Sequence, residues 1–399
     1  MKKISIAFIL SLVVLLGAES CSKLEPTLPK NADLLDGSVD GLSSSENQQF
    51  LSGDKAFNDL VFTPETGLGP LFVATSCGSC HTGDGKGHPF TELTRFGQSD
   101  SNGNSFLAQG GPQLQHRAIP GYTPENLPTG ATFSKLIAPV ITGLGFLESV
   151  SDADILAMAD PNDANSDGIS GVPNWVSLPS YISPSAGAIT QNGKYIHRFG
   201  KKASSYNLFH QTVKAYSQDI GITSLYEPHD TYSGLESDPE VSSQIIQNVV
   251  FYLHTLKAPV QRNIDDADVI QGKQIFVNIG CVSCHKESLT TSYSPIAAIS
   301  NKVFHPYTDL LLHDMGESLN DGYTEGGALS YEWRTAPLWG LGLAKNSQGG
   351  ELFLLHDGRA KSIEGALNYH GGEAVVARTN FFNLSDTDRK KLVKFLESL

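Results

Sequence analysis

Residues 280–288 read GCVSCHKES, which places a cysteine, two spacers, a second cysteine and a histidine in a row. The same order recurs in SCGSCHTGD at residues 76–84. Residues i, i+3 and i+4 share one face of a helical turn, so two sulfur atoms and one imidazole can reach the same flat group. A C-x-x-C-H run is typical of covalent haem attachment, with the histidine as an iron ligand. The sequence therefore predicts two haem c groups, held by Cys77, Cys80 and His81 and by Cys281, Cys284 and His285.

Paired cysteines also serve other chemistries, which are a zinc site using all four cysteines, two redox-active disulfides or two structural disulfides. Zinc ribbons bring their cysteine pairs much closer in sequence than positions 77 and 281. Thioredoxin-like sites need a βαβ pattern, which this sequence lacks. A histidine directly after each pair has no role in a disulfide. The haem interpretation is therefore favoured over all three.

The N-terminus has the pattern of an export signal. Lys2 and Lys3 precede an apolar run at residues 4–18, which is shorter than the ~20 residues that a spanning helix needs. Cys21, where the apolar run ends, resembles the lipidated cysteine of bacterial lipoproteins, and simple cleavage nearby is the alternative. We expect a lipoprotein signal peptide at residues 1–20 and a flexible, polar tether at residues 21–52.

Composition narrows the partners and the location. The chain has 399 residues, of which 40% are hydrophobic and 18% charged, as in ordinary globular proteins. A net charge of -14 argues against nucleic acid or anionic lipid as the main partner and favours a basic redox protein, such as a small cytochrome that donates electrons. Haem is attached outside the cytoplasmic membrane. We therefore expect a location in the bacterial cell envelope, lipid-anchored and facing the periplasm or the cell surface.

Apolar periodicity predicts two modules that divide near residue 260. An amphipathic helix ahead of the second motif would place Val269, Ile270, Ile275 and Phe276 on one face, and residues 58–75 are a looser counterpart ahead of the first motif. Ser385 or Asp386 would cap a final apolar helix, which residues 242–260 resemble.

Few stretches alternate like strands. We therefore expect a mainly α fold with little β structure, built from two cytochrome c-like haem domains at residues 53–260 and 261–399. Long irregular loops, notably residues 99–135, would wrap a large flat cofactor.

Several blocks resemble the di-haem oxidoreductase family, a relative of the bacterial di-haem cytochrome c peroxidases. The resemblance covers most of the chain from about residue 70 to the end. It implies that one haem offers an open iron face to peroxide while the other is closed by a second ligand and relays electrons. The matching stretches are GLGFLESV (143–150), NSDGISGVPN (165–174), HRFGKKA (197–203), QDIGITS (218–224), YTDLLLHDMG (307–316), EWRTAPLWGLG (332–342) and FLLHDGRAKSIEGALNYHGGEA (353–374).

The resemblance makes His81 and His285 the proximal ligands and leaves the opposite faces open to several residues. For the second haem the peroxidase relatives take a methionine from a Y-M-H-D-G stretch, where this chain has LLHDG at residues 354–358. Met315 is the expected replacement, with His313 and His356 as alternatives. For the first haem, His88 and His116 are candidates, although a surface role is favoured for both.

Cleavage of a peroxide O–O bond needs a group that moves a proton between the two oxygens. Glu148 matches the position of the catalytic glutamate of the relatives. Burial in the apolar stretch GLGFLESV would raise its pKa toward a useful range. A solvated glutamate ahead of the next helix is the alternative.

The run DANSDG at residues 163–168 fits the start of a calcium loop, in which Asp163, Asn165 and Asp167 would converge their oxygens. The twelfth position is Asn174 where an EF-hand has glutamate, which disfavours an EF-hand. The relatives hold calcium between their haems, so Ca²⁺ is an expected further cofactor. An ordinary turn is the alternative.

These residues together predict a di-haem c-type cytochrome oxidoreductase of the cell envelope, with the first haem reacting with peroxide or another small substrate. The alternative is a non-catalytic electron-transfer cytochrome that serves envelope metal reduction or iron uptake. A scaffold with purely structural haem is least favoured. The second ligand of the first haem distinguishes enzyme from carrier.

Overall fold

The computed structural model describes residues 30–97, 99–100, 103–229 and 240–399. The signal peptide expected at residues 1–20 and the lipidation site Cys21 lie outside the described residues. Residues Leu35–Leu399 form one compact unit, and the described part of the preceding unit, Met1–Leu34, holds a 3-10 turn at Asn31–Asp33. Within the described residues helix accounts for 36% and strand for 13%, which confirms the expected mainly α fold.

The α-helices are α1 (Ser44–Asp54), α2 (Leu144–Glu148), α3 (Asp152–Met158), α4 (Leu208–Asp219), α5 (Ser243–Thr255), α6 (Ala267–Asn278), α7 (Ala344–Ser347), α8 (Ile363–Asn368), α9 (Val375–Asn383) and α10 (Asp386–Ser398). Among the described residues, no helix has both the length and the apolar character that crossing a membrane requires.

The strands are β1 (Leu71–Phe72), β2 (Leu93–Phe96), β3 (Ser99–Asp100), β4 (Gly103–Asn104), β5 (Arg117–Ala118), β6 (Phe133–Leu136), β7 (Asn174–Val176), β8 (Thr190–Gln191), β9 (Lys194–His197), β10 (Leu289–Thr290), β11 (Val303–Phe304), β12 (Leu312–Asp314) and β13 (Glu332–Arg334). In the described part of the chain they form five two-stranded sheets (β1–β5, β2–β6, β3–β4, β10–β11 and β12–β13) and one three-stranded sheet in the order β7-β9-β8. Because the sheets are so small, helices and loops build most of the core.

Two helix pairs dominate the packing, α1 against α5 and α6 against α10. Each pair crosses at a glycine. A Cβ on Gly53 would lie 2.6 Å from the Cβ of Tyr252, and a Cβ on Gly272 would lie 2.7 Å from the Cβ of Phe395. Missing side chains let the helices approach backbone to backbone. Each half of the chain therefore contains one helix pair that packs closely at a glycine.

Side-chain caps fix where these helices begin. The Ser43 hydroxyl accepts from the N–H of Glu46, and the Glu46 carboxylate accepts from the N–H of Ser43 at 2.7 Å, which is a complete capping box. Ser385 caps α10 through the N–H of Asp388, as one of the two predicted capping residues. Within α6, Val269 is buried as predicted, but Ile270 is 46% exposed, so its place on the buried face was wrong.

The expected tether and opening helix differ from the structure. Residues 44–52 lie within α1, whose Phe50 is buried, so this part of the predicted tether is ordered. Residues 58–75 hold only short turns and β1, and α1 takes the position ahead of the first motif. One large buried apolar side chain on α1 is too few for a periodic signal.

Apolar side chains gather in two main clusters. The larger is built mostly from residues 50–256 and the other from residues 269–399. Part of the predicted second domain packs in the larger cluster, because the chain returns there between β10 and residue 339. The returning residues are Leu289, Ile299, Phe304, Leu310, Leu311 and Trp339. The domain boundary near residue 260 stays a prediction.

We expect Gly272→Ala to destabilise the protein by about 1–3 kcal/mol, because the added methyl group overlaps the Lys391 carbonyl and Phe395 where α6 crosses α10. Thermal unfolding followed by circular dichroism measures the effect. Gln271→Ala, at the exposed neighbouring position, is the matched control and should leave the transition unchanged. Equal transitions for both variants would contradict the close crossing.

Candidate cofactor cavity

One cavity of about 620 Å³ is lined by both C-x-x-C-H motifs. The first motif follows β1 and the second follows α6. In each motif the histidine N–H donates to the carbonyl of the first cysteine, from His81 to Cys77 and from His285 to Cys281, at 3.0 Å in both. Each motif therefore forms one helical turn, as the sequence predicted.

The four cysteines of the motifs are free and half-buried. Burial raises the pKa of Cys77 and of Cys281 to about 12, so both are neutral thiols. No cluster of four cysteine sulfurs is found in the described part of the chain. This arrangement matches neither the disulfide alternatives nor a four-cysteine zinc site.

Backbone carbonyls orient both motif histidines. The His81 Nδ1 lies 3.0 Å from the Pro139 oxygen, and the His285 Nδ1 lies 2.9 Å from the Tyr307 oxygen. A carbonyl only accepts, so Nδ1 carries the proton and Nε2 keeps the lone pair that can bind a metal. Burial lowers the pKa of both histidines to about 4, which keeps them neutral.

Several buried polar atoms on the cavity wall have no hydrogen-bond partner among the described residues. They are the Thr212 Oγ1, the Tyr216 hydroxyl, the Thr335 Oγ1 and the Trp339 Nε1. Buried polar groups are rarely left unsatisfied in native proteins. The paired thiols and the two imidazole lone pairs of the motifs are the groups on this wall that fit a bound haem.

A polar wall, made of Arg95, Gln113, Lys214, Gln218, Asp219 and Glu325, lines the cavity beside the first motif. Arg95 pairs with Glu325 at 2.6 Å, and Gln113 donates to Asp219. Burial first, and then the Asp219 charge, raise the pKa of both Cys77 and Cys80, which places Asp219 close to the first motif. Burial raises the pKa of Asp219 itself, against the opposing effects of Gln113 and Arg95.

A cationic group, made of Lys86, Lys201 and Arg334, also lines the cavity. Arg334 donates to the Gly200 carbonyl at 3.0 Å. Within the described residues none of the three has an ion pair. Burial lowers the pKa of Lys86 to about 8 and that of Arg334 to about 10, and it holds that of Lys201 well below its usual value. Cations that are drawn out of water without a counter-charge are costly, so this group is suited to an anionic ligand.

The candidate ligands for the second iron differ in their surroundings. Met315 is half-buried and lines the cavity, where it packs against Trp333. Both nitrogens of His313 lie beside carboxylates, Asp309 at 2.9 Å and Glu373 at 2.6 Å. His356 stacks on Trp333 with ring centroids 3.8 Å apart. None of the three assignments is tested by this geometry. For the first motif, neither His88 nor His116 lines the cavity.

Glu148 is not among the residues that line the cavity. Its Oε1 lies 2.8 Å from the Nε2 of His254, and its Oε2 accepts from the Leu208 N–H at 2.6 Å. Burial alone raises the pKa of Glu148, but His254 and the Leu208 N–H outweigh it and lower the pKa overall. The predicted rise was therefore wrong. The sequence missed His254, which lies more than 100 residues away. The catalytic role of Glu148 stays a prediction.

The predicted calcium ligands form a turn closed by its own hydrogen bonds. The Asp163 carboxylate accepts from the Gly168 N–H at 3.2 Å, and the Asn165 Oδ1 accepts from the Asp167 N–H at 2.9 Å. Asn165 and Asp167 also line a small cavity of about 100 Å³ together with Asp309 and His313. Calcium binding stays a prediction.

Stability should depend on pH through the pair of Glu148 and His254. The pKa of Glu148 is lowered, so its contribution is complete above its unfolded pKa of about 4.3 and is lost as pH falls. Burial lowers the pKa of His254, but Glu148 raises it overall. The His254 contribution is therefore complete below its unfolded pKa of about 6.5 and is lost as pH rises.

We expect Glu148→Gln to cost about 2 kcal/mol between roughly pH 4.3 and 6.5, and less on either side. Thermal unfolding of both proteins across that range measures the difference, and His254→Gln should give the same profile. A loss that is constant with pH would contradict the ion pair.

Comparison with known protein families agrees with the interpretation of the cavity as a haem site. A family model described as "Di-haem oxidoreductase, putative peroxidase" matches residues 132–399. A search of curated proteins gives no match.

Two solved structures align over most of their length. Hydrazine synthase of Kuenenia stuttgartiensis, under xenon pressure, is 14% identical to this protein. The alignment covers 94% of this chain and 95% of the hydrazine synthase chain, with a TM-score of 0.41. A MauG-like protein associated with microbial copper homeostasis is 12% identical and covers 94% of each chain, also with a TM-score of 0.41. These TM-scores are too low to support a conclusion. The family match spans about two thirds of the sequence, and the chain belongs to the di-haem oxidoreductase family.

Proposed function

We propose that this protein is a di-haem c-type cytochrome oxidoreductase of the bacterial cell envelope with peroxidase-like activity. Cys77 and Cys80 would hold one haem and Cys281 and Cys284 the other, with His81 and His285 as proximal iron ligands. One observation carries the proposal: both motifs line a single cavity, and a backbone carbonyl leaves the Nε2 of each histidine free to bind iron. The family supports two haems in a redox protein.

The cationic group would hold the haem carboxylates. Lys86, Lys201 and Arg334 come from three separate segments but line the same cavity. A haem carboxylate beside these side chains would neutralise their positive charge. It would also accept charge-assisted hydrogen bonds from them, which are stronger than neutral ones. The two haem domains expected from the sequence would therefore share one interior.

The polar wall beside the first motif supports the first haem as the one that would react with peroxide. When bound there, haem would supply iron that exchanges electrons with peroxide. Asp219, whose pKa is raised, can hold a proton on the cavity wall and move it between substrate oxygens. Gln113 donates to that carboxylate, and Arg95 donates to Gln113 at 3.2 Å, so both would present polar groups to a small substrate. The wall near the second motif includes the apolar residues Ile363, Leu367 and Leu396.

Location and partners complete the proposal. Lipidation at Cys21 would tether the protein to a membrane by the anchor alone, facing the periplasm or the cell surface. The net charge of -14 suits a basic electron donor, such as a small cytochrome. Calcium beside Asn165 and Asp167 is a further proposed component.

We expect the holoprotein, oxidised or half-reduced, to show one high-spin five-coordinate haem and to reduce hydrogen peroxide with a reduced donor. Electron paramagnetic resonance and stopped-flow absorption measure both properties. If both irons are low-spin and six-coordinate in every redox state and peroxide is not consumed, the protein is an electron-transfer cytochrome instead.

We expect Asp219→Asn to lower kcat for peroxide by about 10²-fold, the range typical of a lost general acid–base. Glu148→Gln should lose less, because Glu148 does not line the cavity. Steady-state kinetics at equal haem content make the comparison, with Glu364→Gln, an exposed carboxylate on α8, as the control. A greater loss of kcat in Glu148→Gln than in Asp219→Asn would indicate that Glu148 is the catalytic residue.

A further inference from the structure

A histidine that the sequence analysis did not single out lines the cavity. His370 follows α8, and its Nδ1 lies 2.9 Å from the Ala366 carbonyl oxygen. Because that oxygen can only accept, Nδ1 carries the proton and Nε2 keeps its lone pair. Within the described residues no protein group bonds this Nε2. His81 and His285 are held in the same tautomer, so His370 is a third imidazole prepared to bind metal.

His370 belongs to the second motif rather than to the first. Tyr369, next to His370 in the chain, packs in the same apolar cluster as Cys281 and Val282 of the second motif. Ile363, Ala366 and Leu367 of the same segment line the cavity together with His285. His370 is therefore close to the proximal ligand of the second haem.

The turn after His370 fixes its position. The Gly371 N–H donates to the Met315 carbonyl at 3.2 Å, and a Cβ on Gly371 would lie 2.9 Å from that oxygen. Gly372 has φ +49° and is pressed against the Asp314 carbonyl. Only glycine allows this approach, so backbone contacts with the end of β12 hold the segment that carries His370.

The other candidate ligands are less free to bind iron. Binding by His313 would break its contact with Asp309 or Glu373, both within 2.9 Å. His356 would have to leave its stacked position on Trp333. The thioether of Met315 is the remaining competitor, because it lines the cavity without a polar partner. His370 can donate its Nε2 lone pair without losing any contact in the structure.

We propose that His370 is the second axial ligand of the iron held at Cys281, Cys284 and His285, which would therefore be a six-coordinate, bis-histidine site. This inference rests on the proposed function. His370 would donate its Nε2 lone pair to the iron, and the proton on Nδ1 would stay on its hydrogen bond to the Ala366 carbonyl. A second imidazole in place of a methionine lowers the reduction potential of such an iron.

The test uses the holoprotein and its variants His370→Ala, His370→Met and Met315→Leu, with His305→Gln at an exposed position as the control. Haem content per chain is measured first by the pyridine haemochrome. Near-infrared magnetic circular dichroism and electron paramagnetic resonance then identify the axial ligands, and a redox titration gives the midpoint potential.

We expect a bis-imidazole signature in the native protein that survives Met315→Leu and His305→Gln. His370→Ala should lose that low-spin signal, and His370→Met should convert it to a histidine–methionine signature with a higher midpoint potential. A native histidine–methionine signature, or a low-spin signal that is lost in Met315→Leu and unchanged in His370→Met, would overturn the proposal. Native protein without covalent haem would instead overturn the proposed function.

Discussion

The hydrogen bond from an imidazole Nδ1 to a backbone carbonyl is the interaction on which the rest of the site depends. It decides which nitrogen of His81 and of His285 can bind metal, and it does so before any cofactor is present. The acceptors, Pro139 and Tyr307, lie 58 and 22 residues beyond their histidines. Each motif is therefore local in sequence, but its orientation is set by a distant part of the fold.

The two helix pairs provide the frame that brings these distant segments together. Gly53 and Gly272 let α1 and α6 lie directly on α5 and α10, and each motif follows one of the first two helices. The chain between β10 and β13 then returns to the larger apolar cluster, so that both motifs line one cavity.

The sequence predicts what is local and misses what depends on distant contacts. Both C-x-x-C-H turns, the Ser385 cap and the scarcity of strands follow from short patterns. The partnership of Arg95 with Glu325 spans 230 residues, and no periodicity reveals it. The pKa of Glu148 was predicted with the wrong sign because burial was visible in GLGFLESV and His254 was not. Ser43 and Glu46 have the spacing of a capping box. Phe50 is the one large buried apolar side chain on α1, so apolar periodicity does not predict the helix.

The central proposal is that both motifs hold haem covalently. Intact mass spectrometry of denatured, acid–acetone-extracted protein, produced in a host that matures c-type cytochromes, tests it most directly. We expect a polypeptide that stays red and carries the added mass of two haems. Changing both Cys77 and Cys80 to alanine, or both Cys281 and Cys284, should leave the added mass of one haem. Colourless protein with the mass of the bare polypeptide would contradict it.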